Sequence, residues 1–166
     1  MPAGSTYTPI ATTTLGSATS SYTFSSIPST YTDLVLVTSA AGTAGADMRL
    51  QFNSDTGANY SRTYLSGNGT SAFSGRASST ASAGITAYGT LTATLGGTNN
   101  TTHIMNYSNS TTYKTVLARS NDAGAGADAI VSMWRSTSAI TSIKIEVSTG
   151  NFSVGSTFTL YGIASA

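Results

Sequence analysis

Apolar residues occur along this chain in short runs, separated by stretches rich in Ser, Thr, Gly and Asn. Met48, Leu50 and Phe52 alternate with polar residues, which is the period of a strand with one buried face. Residues 143–147 repeat this period of two, whereas residues 34–37 are apolar at every position, as in a strand covered on both faces. The pattern therefore predicts β-strands of half-buried and fully buried kinds.

The rest of the chain has the same strand-like character. No window shows the three-to-four spacing of an amphipathic helix, and Ser, Thr, Gly and Asn are poor helix formers. We therefore expect an all-β fold, a jelly-roll-like antiparallel β-sandwich of about 8–10 short strands. The further predicted strands are residues 7–15, 21–27, 60–65, 85–91, 103–107, 113–119, 129–135 and 158–163.

Residues 1–20 carry a few apolar side chains among Thr and Ala. We expect residues 1–20 to be an extended segment that packs on a neighbouring subunit, and residues 21–166 to be a single β-sandwich domain. Within that domain, residues 66–84 are poor in apolar residues and are predicted to be an exposed loop or arm. The candidate contacts of the N-terminal segment are Tyr7, Pro9, Ile10 and Leu15.

Charged residues make up only 8% of the chain, with seven Lys and Arg against six Asp and Glu. The cations are scattered singly, so we expect no nucleic-acid partner. The longest apolar run, residues 34–37, is far too short to cross a membrane, so no membrane partner is expected. With no secretory signal at the start, we expect synthesis in a cytoplasm. So few charges suit a surface that contacts other subunits.

Groups with catalytic or metal-binding chemistry are sparse. The chain contains no Cys, which excludes disulfides and thiolate metal sites. His103 is the one histidine, and without a nucleophile motif we expect a surface or interface residue there. Asp55-Thr56-Gly57 matches the aspartic protease triplet but follows polar residues, which favours a turn. We therefore expect no enzyme, no metal and no cofactor.

Tyrosines are the residues best suited to contact a ligand. Tyr60 and Tyr64 flank Arg62 and would share one face of a strand. This pair is the candidate ligand or interface site. Packing in the core or at a subunit interface is the alternative for each ring.

Four stretches of the chain, in order, resemble a recurrent structural domain of tailed-bacteriophage virion proteins. The first includes Tyr31-Thr32-Asp33 and the last includes Tyr161-Gly162. Similar modules occur in capsid decoration or cement proteins and in pieces of head or tail fibres. The stretches are residues 21–37, 50–61, 134–143 and 150–163.

The resemblance implies a capsid cement protein on the outer surface of a phage head. Its partners would be the major capsid protein and further copies of this chain in a homotrimer. One compact domain fits a decoration protein better than a fibre, which needs an extended shaft. The alternative is a receptor- or carbohydrate-binding domain of a head or tail fibre, which would bind a host-surface glycan through exposed aromatic rings.

Overall fold

The computed structural model describes residues 6–164, which form two antiparallel β-sheets packed face to face. No helix occurs among these residues, and so no helical segment suited to crossing a membrane. The strands are β1 (Tyr7–Thr14), β2 (Ser21–Phe24), β3 (Asp33–Ala40), β4 (Met48–Phe52), β5 (Tyr60–Gly67), β6 (Ala72–Thr80), β7 (Ala83–Gly84), β8 (Thr98–Met105), β9 (Lys114–Asp122), β10 (Gly126–Trp134), β11 (Ile143–Val147) and β12 (Thr157–Ile163).

The strand order is that of an extended jelly roll. The large sheet runs β1-β12-β3-β8-β9-β10-β5-β6, and the small sheet runs β2-β11-β4-β7. When the hairpin β9–β10 and the outer strands β1 and β12 are set aside, four strands remain in each sheet. The chain alternates between these two sheets as it does in a jelly roll. The hairpin and the outer strands widen the large sheet and enlarge its outer face.

The core lies between the two sheets. In β9 and β10 every second side chain points into it, and Val116 and Ile130 are fully buried. Aromatic rings join the sheets at one end, where Phe52 lies 6.1 Å from Tyr60 and 5.5 Å from Trp134 between ring centroids. These contacts fix which face of each strand points inward.

The all-β sandwich predicted from the sequence is confirmed, and most of the strands lie where they were expected. Met48–Phe52 and Ile143–Val147 match the alternating segments in both bounds. Other strands are longer than predicted, since β8 begins at Thr98 rather than at residue 103. Residues 6–164 form twelve strands, more than the expected 8–10. The structure adds β6 and β7, which were not predicted, and lacks the strand predicted at residues 85–91.

Residues 66–84 are not the exposed loop or arm that their composition predicts. Ala72–Thr80 forms β6, which pairs with β5 at the edge of the large sheet. Small polar side chains suit an exposed edge strand, and its backbone hydrogen bonds to β5 hold it without apolar burial. Gly75 lies opposite Tyr64, whose ring occupies the space that a Cβ would need. The absence of a side chain here allows the strands to close.

Residues 85–91 are a loop, although their apolar content predicts a strand. Ile85 and Leu91 are buried in the core. The N–H of Ile85 donates to the carbonyl of Met48 at 3.0 Å, and that of Leu91 donates to the carbonyl of Ala46 at 2.9 Å. The apolar residues therefore anchor a loop to the core instead of marking a strand.

The described part of the N-terminal segment belongs to the sandwich. β1 pairs with β12 of the same chain, and Leu15 is only 7% exposed in the shared core. The N–H of Leu15 donates to the carbonyl of Ser156 at 2.9 Å, and the N–H of Gly155 donates to the carbonyl of Leu15 at 2.8 Å. The domain thus begins at β1 and not at residue 21. Packing of this segment on a neighbour stays a prediction, and residues 1–5 lie outside the described residues.

Leu15→Ala should lower the free energy of unfolding by about 2–4 kcal/mol, because it leaves a cavity in the core. Tyr7→Ala is the matched control, since Tyr7 lies in the same segment but is 55% exposed. Its free energy of unfolding should change by less than about 1 kcal/mol. Urea denaturation followed by Trp134 fluorescence measures both changes. Equal losses in the two variants would contradict this placement of Leu15.

Candidate functional site

The outer face of the large sheet carries large apolar side chains on its central strands. Val37, Met105, Leu117, Val131 and Met133 are each between 37% and 49% exposed. A sheet face in contact with water normally presents polar residues outward. We call these five residues the apolar patch, and it is the feature of this surface that most needs a partner.

The strand register brings four of the five patch residues together, while Val37 lies apart on β3, with β8 between it and Leu117. Leu117 of β9 lies directly opposite Val131 of β10 on one side and His103 of β8 on the other. Met105 and Met133 lie two positions further along β8 and β10, on the same face. Directly opposed side chains in a sheet are about 5 Å apart, so Leu117 contacts Val131. Thr115 of β9 lies between the two Met side chains. The patch is held on strands that are hydrogen-bonded on both sides.

The outer face of the small sheet is different in character, because it carries charged and amide side chains. The Lys144 ammonium lies 2.8 Å from the Glu146 carboxylate. Arg49 lies 3.7 Å from Asp47 across the end of β4. The two faces of the sandwich therefore differ, and only the large sheet presents an apolar surface of this kind among residues 6–164.

His103 lies on the outer face of the large sheet, beside Leu117, and is paired with Asp33. Its Nε2 is 3.2 Å from Asp33 Oδ2, and Asp33 Oδ1 accepts the N–H of Asn106 at 2.7 Å. No hydroxyl in the described part of the chain is hydrogen-bonded to His103. Residues 6–164 also hold no group of three His, Cys, Asp or Glu side chains that could bind a metal ion. The pair offers a partner hydrogen bonds beside the apolar patch.

Asp55 belongs to a turn, as its sequence context predicts. Its Oδ2 accepts the indole N–H of Trp134 at 2.7 Å, and its Oδ1 accepts the N–H of Gly57 at 2.8 Å. Burial raises the pKa of Asp55, but these bonds and one from Asn59 outweigh it and hold the pKa below its ordinary value. The partners described for Asp55 include no second carboxylate, so the protease dyad is not formed.

Asp128 anchors the loop behind the outer face. This inward-pointing residue of β10 is 5% exposed. Its carboxylate accepts the hydroxyl of Ser66 at 2.5 Å and that of Ser120 at 2.8 Å. The N–H groups of residues 87–89 donate to the same carboxylate at 2.8 to 3.0 Å. Three strands and the loop between β7 and β8 are thus tied to one charge.

The charge of Asp128 is stabilised despite its burial. Burial raises the pKa of the Asp128 carboxyl, but the hydrogen bonds from Ser66 and from residues 87–89 outweigh it. The pKa therefore lies below its ordinary value of 3.8. The ionised form is the one that these donors select, which makes Asp128 a structural anchor.

Tyr60 is buried and does not face a ligand. Its hydroxyl donates to the carbonyl of Asp55 at 3.1 Å and accepts the N–H of Phe52 at 3.0 Å, and burial raises the pKa of Tyr60 to about 12. Tyr64 is half-buried, with its ring centroid 5.7 Å from the Arg62 guanidinium carbon. The three residues share one face as predicted, but that face is the inner one. Tyr60 is therefore a core residue and not a ligand or interface contact.

The four N-terminal candidate contacts have different surroundings. Tyr7 and Pro9 are exposed on the edge strand β1. Ile10 is half-buried and packs against the core, and Leu15 is buried within it. Only Tyr7 and Pro9 are placed to contact another subunit without a change in the fold.

The apolar patch was not among the predicted sites, although the sequence contains a sign of it. Val116 and Leu117 are adjacent in β9, and Ile130 and Val131 are adjacent in β10. Adjacent apolar residues point to opposite faces of a strand. This pattern is typical of strands covered on both faces, and here only the inner face is covered within residues 6–164.

Comparison with known protein families, curated proteins and solved structures gives no match. The function proposed below therefore rests on the sequence and geometry of this chain.

Asp128→Asn should lower the free energy of unfolding by about 3 kcal/mol, because an amide cannot accept all the bonds that the carboxylate accepts. Asp122→Asn is the matched control, since Asp122 is also buried but accepts from the N–H of Gly124 through one oxygen that Asn retains. Its loss should stay under about 1 kcal/mol. Urea denaturation at neutral pH measures both. A larger loss in Asp122→Asn would contradict the anchoring role of Asp128.

Acid should weaken the wild-type protein more than the Asp128→Asn variant. Because the folded-state pKa of Asp128 lies below 3.8, its stabilisation is complete above that pH. It is lost as the pH falls through the lower folded-state pKa. The free energy of unfolding of wild type should therefore fall more steeply with decreasing pH below 3.8. Equal slopes for the two proteins would refute this assignment.

Proposed function

We propose that this chain is a non-enzymatic structural protein of a tailed-phage virion, a capsid cement protein that stabilises the head by bridging capsid subunits. The observation that carries the proposal is the apolar patch on the outer face of the large sheet. The phage resemblance of the sequence supports the same role. A protein of this kind binds the assembled shell and stabilises it by mass action.

The patch is suited to docking because it is both apolar and rigid. Leu117 and Val131 lie on the central strands β9 and β10, each hydrogen-bonded to a strand on either side. A surface that is already ordered loses little conformational entropy when it binds. Burial of the patch against capsid subunits would therefore translate efficiently into affinity.

The low charge of the chain favours the same role. The polar pair beside the patch, His103 and Asp33, is already hydrogen-bonded before any partner arrives. Few ions need to lose water when the surface is covered, which limits the desolvation cost of packing many copies on a shell. The major capsid protein is the partner that this role requires.

Self-association into a homotrimer forms part of the proposal. The edge strand β1 carries Pro9 and a register shift between Pro9 and Ala11. Both features oppose the addition of another strand at this edge. We expect contact through side chains such as Tyr7, which is exposed beside Tyr161 with 6.3 Å between ring centroids.

Leu117→Asp combined with Val131→Asp should weaken binding to cognate empty heads that lack this protein by at least about tenfold. The reason is that two carboxylates would be buried in the docking surface. The control is Thr23→Asp combined with Lys144→Gln on the outer face of the small sheet, which lowers the net charge by the same two units. Cosedimentation with the heads measures binding, and thermal denaturation confirms that each variant is folded. Undiminished binding of the patch variant would contradict the proposal.

A further inference from the structure

A groove of about 780 Å³ lies on the outer face of the large sheet, at the end of β10 away from Met133. Ala129 of β10 lies opposite Arg119 of β9 on one side and Leu65 of β5 on the other. The short Ala side chains of β10 thus lie between longer side chains of the neighbouring strands β5 and β9. The two walls are two strand spacings apart, roughly 10 Å, which is the width of a single extended chain.

Arg119 is a free cation in the wall of this groove. It is exposed, and no hydrogen bond or ion pair engages it within residues 6–164. The side-chain carboxylates, all within residues 6–164, each have other contacts, so they do not compete for it. They are Asp33 with His103, Asp47 with Arg49, Asp55 with Trp134, Asp122 with Gly124, Asp128 with the loop anchor, and Glu146 with Lys144.

Two amide side chains extend the polar wall. Asn99 of β8 and Asn121 of β9 lie directly opposite each other and both line the groove. The Nδ2 of Asn99 donates to the carbonyl of Gly96 at 3.2 Å, which leaves its oxygen available as an acceptor. Neighbouring amides bind hydroxyl groups, because each supplies both donors and acceptors.

We propose that this groove binds a carboxylated saccharide, such as a uronic or sialic acid unit of a glycan. Arg119 pairs with the sugar carboxylate, since a guanidinium fits a carboxylate through two parallel hydrogen bonds. Asn99 and Asn121 bind ring hydroxyls, while Leu65 and Ala129 contact the C–H face of the sugar.

The groove fits a saccharide better than a peptide. The backbone of β10 is paired along its length with β9 and β5, so an extended peptide finds no free backbone groups there. Peptides that add to a sheet do so at an edge. A saccharide needs only side-chain partners, which the groove supplies.

This site goes beyond the proposed structural role and is separable from it. The groove adjoins the apolar patch but is lined by other residues, since Arg119 and Ala129 lie two positions along β9 and β10 from Leu117 and Val131. Loss of saccharide binding and loss of attachment to heads are therefore measured independently. A variant of the patch leaves Arg119 in place.

Isothermal titration of the purified chain with tetragalacturonate, oligomannuronate and sialyllactose tests the proposal. We expect saturable binding of at least one of them, weakened at least about tenfold in Arg119→Gln. Ala129→Leu should weaken it similarly, because the larger side chain fills the groove. Arg76→Gln is the matched control, since Arg76 is an exposed arginine of the same sheet that does not line the groove, and it should bind as wild type.

Several results would overturn the proposal. These are no saturable binding of all three probes up to about 10 mM, full binding in Arg119→Gln, or equal loss in Arg76→Gln. Equal affinity for neutral maltotetraose would remove the role of the carboxylate. Equal affinity for an oligoglutamate peptide of matched charge would show that the groove takes acidic peptides instead. Unchanged melting temperatures of the variants establish that each is folded.

Discussion

The buried carboxylate of Asp128 is the constraint on which the rest of the large sheet depends. It joins hydroxyls of β5 and β9 to the backbone of residues 87–89, so strands from both sides of β10 share one charge with the loop. A buried carboxylate without donors would be costly, and here every donor is matched to the ionised form. Its neighbour along β10, Ala129, points to the opposite face and forms the groove floor. The inner anchor thereby fixes the shape of the outer surface.

Tyrosine residues play a comparable part at the end of the sandwich. The hydroxyl of Tyr107 donates to the carbonyl of Pro28 and accepts the N–H of Tyr31 at 3.3 Å. The ring of Tyr31 lies against Gly162 of β12, where a Cβ would fall 2.2 Å from a ring carbon. Only glycine allows so close an approach. Residues 28–31 and β12, remote from each other in sequence, thus meet in one packing contact.

Sequence alone predicts the strands whose side chains alternate between buried and exposed positions. Residues 48–52 and 143–147 are of this kind, because each alternates between the core and the outer face of the small sheet. β6 has no such period, since its backbone pairs with β5 while its side chains stay mostly exposed. Residues 85–91 have the apolar content of a strand, but their path depends on Asp128, which is remote in sequence. Long-range hydrogen bonds of this kind leave no local pattern.

The predicted ligand site shows a second limit of the sequence, which is that alternation does not reveal which face of a strand points inward. Alternation places Tyr60 and Tyr64 on one face of β5, but only the packed sheets decide that this face points inward. In β9 and β10 the apolar residues occupy both faces, and a single chain of two layers covers just one of them. On our proposal a capsid subunit covers the other around Leu117 and Val131. Covering the outer face of these strands costs least where few charged groups must lose water. The low charge of the chain and the apolar residues on both faces of β9 and β10 therefore favour the same docking surface.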